Sequence, residues 1–350
     1  MALGWIVERL IHSRLRLKHF LKMNRKHIIV TGGYGFIGSR FVKYVVENTD
    51  YNVVLIDNKT YAADPKRISS WLDPVKHHGR ILHCVEHIAD PKLNEKIGGL
   101  FSGASYVVNF AAETHVDNSI SDCSPFMKTN VRGVYNLLEI CRNHCSDLKR
   151  FVQVSTDEVY GDMDDVRGSR SGADESFPLR PSSYYSASKA SGDLLVQSCA
   201  RTYGLPFLIT RCCNNYGPGQ HPEKFLPKLI KCVKSDTPIP VYGQGTQVRE
   251  WIHVDEHVEK IYKLMHMAPA NEIYNIGSPQ AFTNISIILH LQDSLRKPVE
   301  YTHVEDRLGH DKRYSIDCEK LQQLIPVTDN YYEELLSFLE FELADEYITR

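Results

Sequence analysis

The chain has 350 residues, with 41 Lys+Arg against 43 Asp+Glu and a formal net charge of −2. That balance excludes a global field that would draw it to nucleic acid or an acidic membrane, and no apolar run approaches the ~20 residues that cross a bilayer. Hydrophobic residues make up 42% and charged residues 24%, as in a globular protein with a substantial core. The nine cysteines include no Cys-x-x-Cys pair, with Cys212 and Cys213 adjacent and Cys141 and Cys145 four apart. This is neither a disulfide framework nor a zinc pattern. Free thiols in the reducing cytoplasm, and no metal site, are expected.

Residues 1–26 form a basic extension. Arg9, Arg14, Arg16, Lys18, Lys22, Arg25 and Lys26 face one acid, Glu8, with Leu and Ile between them. The pattern suits a transit peptide or surface anchor. Met23, just before the first strand, fits a dispensable extension or an upstream start codon instead.

From His27 onward, strands and helices alternate. Strands are expected over 27–31, 52–57, 81–85, 105–111, 151–155 and 206–211, with a helix over 36–47 after the first. Continuous apolar strands alternating with helices predict a doubly wound parallel sheet covered on both faces. After Arg211 short strands at 239–242, 247–251 and 272–276 mix with helices, which predicts a smaller mixed α/β lobe over 212–350. The chain is free to cross between the lobes. The polar stretch 161–175 reads as a surface loop.

Between the first strand and first helix lies Thr31-Gly-Gly-Tyr-Gly-Phe-Ile-Gly38, in which Gly32, Gly35 and Gly38 have G-x-x-G-x-x-G spacing. Such a turn lets a pyrophosphate approach the helix N-terminus. Asp57 ends the second strand nineteen residues after Gly38. A carboxylate there accepts hydrogen bonds from the adenosine ribose and repels a 2′-phosphate, so a Rossmann domain over 27–211 is expected to bind NAD rather than NADP. A helix cap is the bland alternative for Asp57.

Tyr185-Ser-Ala-Ser-Lys189 places a phenol and an ammonium on one helix face. The cation is expected to lower the Tyr185 pKa. Upstream, the strand at 151–155 runs into Thr156-Asp157-Glu158, so two acids emerge at the carboxyl edge of the sheet. Adjacent acids beside a hydride acceptor suit elimination of water, since they can split into an acid and a base. An acidic helix cap is the alternative.

Together these motifs resemble the extended short-chain dehydrogenase/reductases, and most closely the dTDP-glucose 4,6-dehydratase family. The resemblance runs from about His27 to Asp317. It includes Thr60-Tyr61-Ala62, Ala111-Ala-Glu-Thr-His115-Val-Asp117, Thr129-Asn130, Asn214-Asn215-Tyr216-Gly-Pro218, Pro222-Glu-Lys224, Tyr242 to Trp251 and Asp306 to His310. It implies a lyase reaction in deoxysugar biosynthesis: C4 is oxidised, water leaves across C5 and C6, and hydride returns to C6. Tyr185 would be the base at O4 with Lys189 as its support, Thr156 would bond O4, Asp157 would be the acid at C6 and Glu158 the base at C5. NAD would be held by Gly32, Gly35, Phe36, Ile37, Gly38, Asp57, Asn58, Thr60, His87, Ile88, Ala111, Ala112, Thr129, Tyr185, Lys189 and Asn215. The nucleotide sugar, dTDP-glucose or UDP-glucose, would be held by His115, Thr156, Asn214, Lys224, Tyr242, Arg249, Asn284, Arg307 and His310. Members are usually homodimers joined by two helices per subunit, here about 125–143 and 185–203.

Several positions depart from that pattern. His87 stands for an aspartate at the adenine, Leu308 and Tyr184 stand for prolines, and Glu250 stands for an aspartate. None removes a catalytic group. The competing readings are a 4-epimerase or UDP-glucuronate decarboxylase of the same fold, and a non-catalytic NAD-binding regulator. An epimerase gains nothing from Asp157 and Glu158 together, and a regulator would not need Tyr185 with Lys189.

Overall fold

The computed structural model describes residues 26–164, 172–326 and 330–344. The basic extension, except Lys26, lies outside the described residues, as does the middle of the 161–175 loop. In chain order the strands are β1 (His27–Thr31), β2 (Asn52–Asp57), β3 (Ile81–Val85), β4 (Ala104–Asn109), β5 (Arg150–Thr156), β6 (Phe207–Cys212), β7 (Asn214–Tyr216), β8 (Ile239–Tyr242), β9 (Val248–His253), β10 (Glu272–Ile276), β11 (Ala281–Thr283) and β12 (Tyr301–Val304).

Seven of them make one sheet in the order β10-β6-β5-β4-β1-β2-β3, parallel throughout. Every residue of β1, β2 and β4 is buried, because helices cover both faces and leave no polar side to alternate with. Side-chain alternation still divides β1: Ile28 and Val30 join one core with Phe41 and Val154, while Ile29 joins the other with Val107, Leu137 and Val196. The chain winds outward from β1 to β3, then returns to β4 beside β1. At that reversal the connections leave in opposite directions and open a crevice beyond the strands' carboxyl ends. Both the glycine turn after β1 and the Ala111–Asp117 stretch after β4 start there.

Glu272–Ile276 was expected in the smaller lobe and is instead the edge strand of the large sheet, with Glu272 paired to Leu208 and Ile276 to Cys212. A short apolar run does not encode which sheet receives it; here the exposed edge of β6 does. Helix Val254–Met267 also returns to the large sheet, and its Asp255 receives two hydrogen bonds from Arg40 of helix Phe36–Asn48. The smaller lobe is built from a three-stranded sheet, β11-β9-β7, and a pair, β12-β8. Its core includes Tyr216, Leu226, Val241, Trp251 and Leu339.

The expected helix over 125–143 is interrupted. Residues Met127–Gly133 wind as a π-helix between Ser124–Phe126 and Val134–His144, a distortion common at functional sites. Helix Tyr184–Tyr203 starts from a Ser183/Ser186 capping box and stops at Gly204, which takes φ +72. Among the described residues no helix is long and apolar enough to cross a membrane.

Behind the catalytic helix, Arg211 Nε lies 3.1 Å from Asp193 Oδ2, with side-chain exposures of 2% and 0%. Arg211 also donates to the Tyr160 hydroxyl (2.9 Å), which donates to Asn275 (2.8 Å), so the chain of bonds crosses β5 and β6 to reach β10. Asp193→Asn should leave the guanidinium uncompensated and cost about 3–5 kcal/mol, read as a lower urea midpoint. A midpoint within error of the unmutated protein would refute this role for the pair.

Candidate active site

The glycine turn is as tight as its spacing predicts. Gly32 takes φ +70, and a Cβ there would lie 2.6 Å from the Ala111 nitrogen; at Gly38 it would lie 2.3 Å from the Gly32 carbonyl oxygen. Gly32 N–H donates to Ile56 O (2.8 Å) and Gly35 N–H to Gly32 O (3.0 Å). Gly35 is the N-cap of helix Phe36–Asn48 and no side chain caps it. The first-turn N–H groups of Phe36, Ile37 and Gly38 therefore keep the anion-binding capacity of a helix start. A dinucleotide pyrophosphate fits this cradle, which side chains would fill.

Asp57 Oδ2 accepts from Tyr34 N–H (2.9 Å) and Oδ1 from Lys59 N–H (2.7 Å). The carboxylate thus stitches the glycine turn to the loop after β2. Two oxygens offer about four acceptor sites, so capacity remains for ribose hydroxyls. Asn58 and Thr60 are exposed on that loop, and Thr60 O accepts from Ala63 N–H. His87 Nδ1 accepts from Ala89 N–H (3.0 Å), and burial, helped by Lys128, lowers its pKa. Ile88 O accepts from Asn136 Nδ2 (3.0 Å).

On the other side of the crevice, Thr31 donates to Asn109 Oδ1 (2.5 Å), and Asn109 Nδ2 donates to Gln153 Oε1 (2.8 Å). Ala111 and Ala112 follow directly. Asn130, in the π-helix beside the buried Thr129, accepts from Glu113 N–H (2.9 Å) and donates to Glu113 O (3.0 Å) and Ser188 Oγ (2.9 Å). One amide thereby fixes the loop after β4 against the catalytic helix. Asn215 was expected at the cofactor, but its side chain is used within the protein. Oδ1 bonds His257 Nδ1 (2.7 Å), Nδ2 donates to Cys213 O (3.0 Å), and the backbone carbonyl accepts from Gln220 Nε2 (2.8 Å).

β5 delivers Thr156 to the crevice, and a 3-10 turn, Asp157–Tyr160, follows. Thr156 Oγ1 donates to Asp157 Oδ1 (3.1 Å) and accepts from Glu158 N–H (3.4 Å). Asp157 is pushed up to about 7 by burial and by the Glu158 charge, against Arg249 and Thr156. Burial also raises Glu158, with Arg307, Arg249 and Lys224 opposing it. The neighbouring carboxyls thus differ in environment: Glu158 faces three cations and the Asp311 charge, and Asp157 faces Arg249 and the Glu158 charge.

Tyr185 packs edge-on against Phe126, ring centroids 6.3 Å apart, beside Val116. Lys189 Nζ donates to Val154 O (2.6 Å), and burial lowers its pKa. The expectation that Lys189 depresses Tyr185 is not met in the protein alone. Burial, then Glu158 and Cys212, hold the phenol well above its usual range, and a Thr156 hydrogen bond pulls it down. Desolvation outweighs an ammonium that is itself fully buried.

The smaller lobe closes the crevice. Lys224 Nζ donates to Thr114 O (3.1 Å), and His115 Nε2 lies 4.0 Å from Glu223 Oε2. Tyr242 donates to Asp117 Oδ2 (3.0 Å), and Arg307 lies 3.6 Å from Asp117 Oδ1. Arg307 Nε is buried without an acceptor among the described residues, a donor waiting for an anion. His310 Nδ1 pairs with Asp306 Oδ1 (2.6 Å), and its ring meets Tyr242 edge-on. Arg249 differs from expectation: it donates to the carbonyls of Val248 (2.8 Å) and Asp311 (2.8 Å). Its fork is occupied by backbone, and its charge, rather than its donors, reaches the site. Asn214 opens β7, and Asn284 is the first residue of helix Asn284–Leu295, where its N–H donates to Gln247 O.

Three groups escaped the sequence reading: Asn130 as a tether, Asp117 as the acceptor for Tyr242, and Tyr314, whose hydroxyl lies 3.3 Å from Glu158 Oε2. Asn130 and Asp117 fell within matched motifs but carried no spacing signal; nothing local marks Tyr314.

Fold and site define a dinucleotide-dependent oxidoreductive enzyme with a tyrosine–lysine pair and two acids at the sheet edge. Residues 28–277 match the model of the NAD dependent epimerase/dehydratase family, and the chain belongs to that family. It is 43% identical over 300 residues to the low-salt glycan biosynthesis protein Agl12 of Haloferax volcanii, covering 85% of this chain and 92% of that one. It is 40% identical over 321 residues to dTDP-glucose 4,6-dehydratase 1 of Escherichia coli, covering 84% and 86%. Among solved structures it resembles DesIV, a dTDP-glucose 4,6-dehydratase from Streptomyces venezuelae with NAD bound, at TM-score 0.82 and 37% identity over 91% of this chain and 97% of that one.

If Asp157 donates the proton to the leaving hydroxyl, it must be protonated to act. Because its pKa is raised to about 7, the elimination rate should hold on the acid side and fall as pH rises through about 7. Asp157→Asn should slow elimination and erase that basic limb while NAD still binds. A pH–rate profile with the same basic limb in the variant would assign the proton elsewhere.

Proposed function

We propose that the chain catalyses the NAD-dependent dehydration of dTDP-glucose to dTDP-4-keto-6-deoxyglucose, a lyase step in deoxysugar biosynthesis. The observation that carries this reading is the Asp157–Glu158 pair at the carboxyl end of β5, close enough to Tyr185 for both charges to act on its phenol. The names of relatives at about 40% identity support dTDP-glucose over UDP-glucose.

In this reading residues 27–211 bind NAD and 212–350 supply the nucleotide-sugar lobe, with β10 and helix Val254–Met267 returning to the first. NAD, held by the glycine turn and Asp57, would supply the hydride acceptor for C4 oxidation and the donor for reduction at C6. Tyr185 removes the O4 proton, with Thr156 and Lys189 placing the phenol. The ketone acidifies the C5 hydrogen, which Glu158 removes. Asp157 protonates the departing C6 hydroxyl as water. Lys224, Tyr242, Arg307 and His310 surround the diphosphate, where a guanidinium suits two phosphates. An epimerase would reprotonate neither C5 nor C6 and would leave both acids idle.

Incubation with dTDP-glucose, and separately UDP-glucose, without added reductant should yield a product lighter by the mass of one water with no net NADH. Tyr185→Phe should abolish it with no transient NADH absorbance. Unchanged mass with a new sugar epimer would replace this reading with epimerisation, and full turnover by Tyr185→Phe would dismiss the assigned base.

We also read the protein as a cytoplasmic homodimer. Its cysteines are unpaired, as suits a reducing compartment. Met127, Tyr135, Tyr184 and Leu194 are exposed on the two long helices beside the site, an apolar face of the kind that pairs with its own copy. Leu194→Glu should halve the mass in solution by sedimentation; a monomeric unmutated protein would rule the interface out.

A further inference from the structure

Glu158 is half-buried, and on its inner side its carboxyl does not end in apolar surroundings. Tyr314 Oη lies 3.3 Å from Glu158 Oε2 and 2.8 Å from Asp311 Oδ2. Tyr314 is 4% and Asp311 5% exposed. Asp311 Oδ2 also accepts from the hydroxyl of Ser182, which is exposed at the surface. Arg249 stacks on the Tyr314 ring, its guanidinium carbon 4.0 Å from the ring centre, and donates to the Asp311 carbonyl. Phenol and carboxylate are therefore held rigidly from both sides.

A phenol has one proton and here two carboxyl neighbours. Tyr314 donates to Asp311 at the shorter distance. Its contact with Glu158 then becomes a hydrogen bond only when Glu158 carries a proton and donates it to the phenol oxygen. The arrangement is complete in the state that Glu158 reaches after taking a proton from the substrate.

From this geometry we infer that Tyr314, Asp311 and Ser182 form a proton wire that connects Glu158 to solvent. Once Glu158 holds the C5 proton, its O–H bond breaks as a bond forms to Tyr314 Oη. Tyr314 gives its own proton to Asp311 Oδ2, and Asp311 passes it outward at Ser182. Glu158 is left as carboxylate, the phenol is again neutral, and reversal brings a solvent proton back to Glu158 for delivery to C5. No electron moves. Tyr314 is a positioning and relay residue in this scheme, since it acts through Glu158. Burial pushes both Tyr314 and Glu158 upward, which favours neutral, proton-carrying forms of each.

The inference rests on Glu158 acting at C5, and the test separates the two. The unmutated enzyme is run on dTDP-glucose in heavy water, and deuterium at C5 and C6 of the product is read by NMR. Product deuterated at C5 is expected, while C6 receives its hydride from C4. Tyr314→Phe should still form product, but with C5 deuterium reduced about tenfold or more, because Glu158 returns the proton it took. Asp311→Asn, which keeps the shape but cannot relay a proton, should do the same and guards against a folding defect in the first variant. Full C5 deuteration in both variants overturns the wire, as does a product from the unmutated enzyme that lacks C5 deuterium. Loss of all product in both variants also overturns it, since the wire carries exchange and not turnover. If instead Glu158→Gln turns over normally, the assignment of the base fails and the wire falls with it.

Discussion

The close approach of the first loop to the end of β4 governs the site. Gly32 and Ala111 are so near that no side chain fits between them, and this contact sets the depth of the crevice where a cofactor must lie. The parallel sheet makes it possible: β1 and β4 are neighbours in register, Thr31 beside Asn109, and their loops diverge from one point. Asp57 on one flank and Asn130 on the other then fix the two loops, their side-chain oxygens accepting from backbone N–H groups. Flexible side chains are left to the substrate end.

Burial is the second organising factor, and it acts against charge. Asp157, Lys189 and Tyr185 sit where water is excluded, and Glu158 is half-buried beside them, so each ionised form is penalised. The protein offsets this with directed partners, a carbonyl for Lys189 and cations for Glu158. Two adjacent carboxyls with different partners become chemically unlike, which acid–base elimination requires.

Most of the sheet was legible from residues, because continuous apolar strands and glycine spacing reflect burial on both faces and a turn with one backbone solution. The catalytic residues were legible for the same reason: Tyr185 and Lys189 share a helix face, and Asp157 and Glu158 end a strand. Partnerships set by the tertiary fold were not. β10 joins the large sheet only because β6 has an open edge. Arg249 turns to backbone carbonyls only because the 311–312 segment passes beside it. The Tyr185 phenol rises rather than falls because the phenol itself is buried, a property that a four-residue spacing does not encode.

The π-helical turn at Met127–Gly133 carries one residue more than a regular helix would need there. Both Asn130, which holds the loop after β4, and Gly133, which clears Ile88, depend on that extra residue. A single-residue deletion that turned the segment into regular helix would take out only the residue the wide turn absorbs, leaving the apolar face of Val134–His144 toward the core. The irregularity therefore separates two tasks along one helix: the part after it keeps the fold, and the wide turn itself carries Asn130 to the loop after β4.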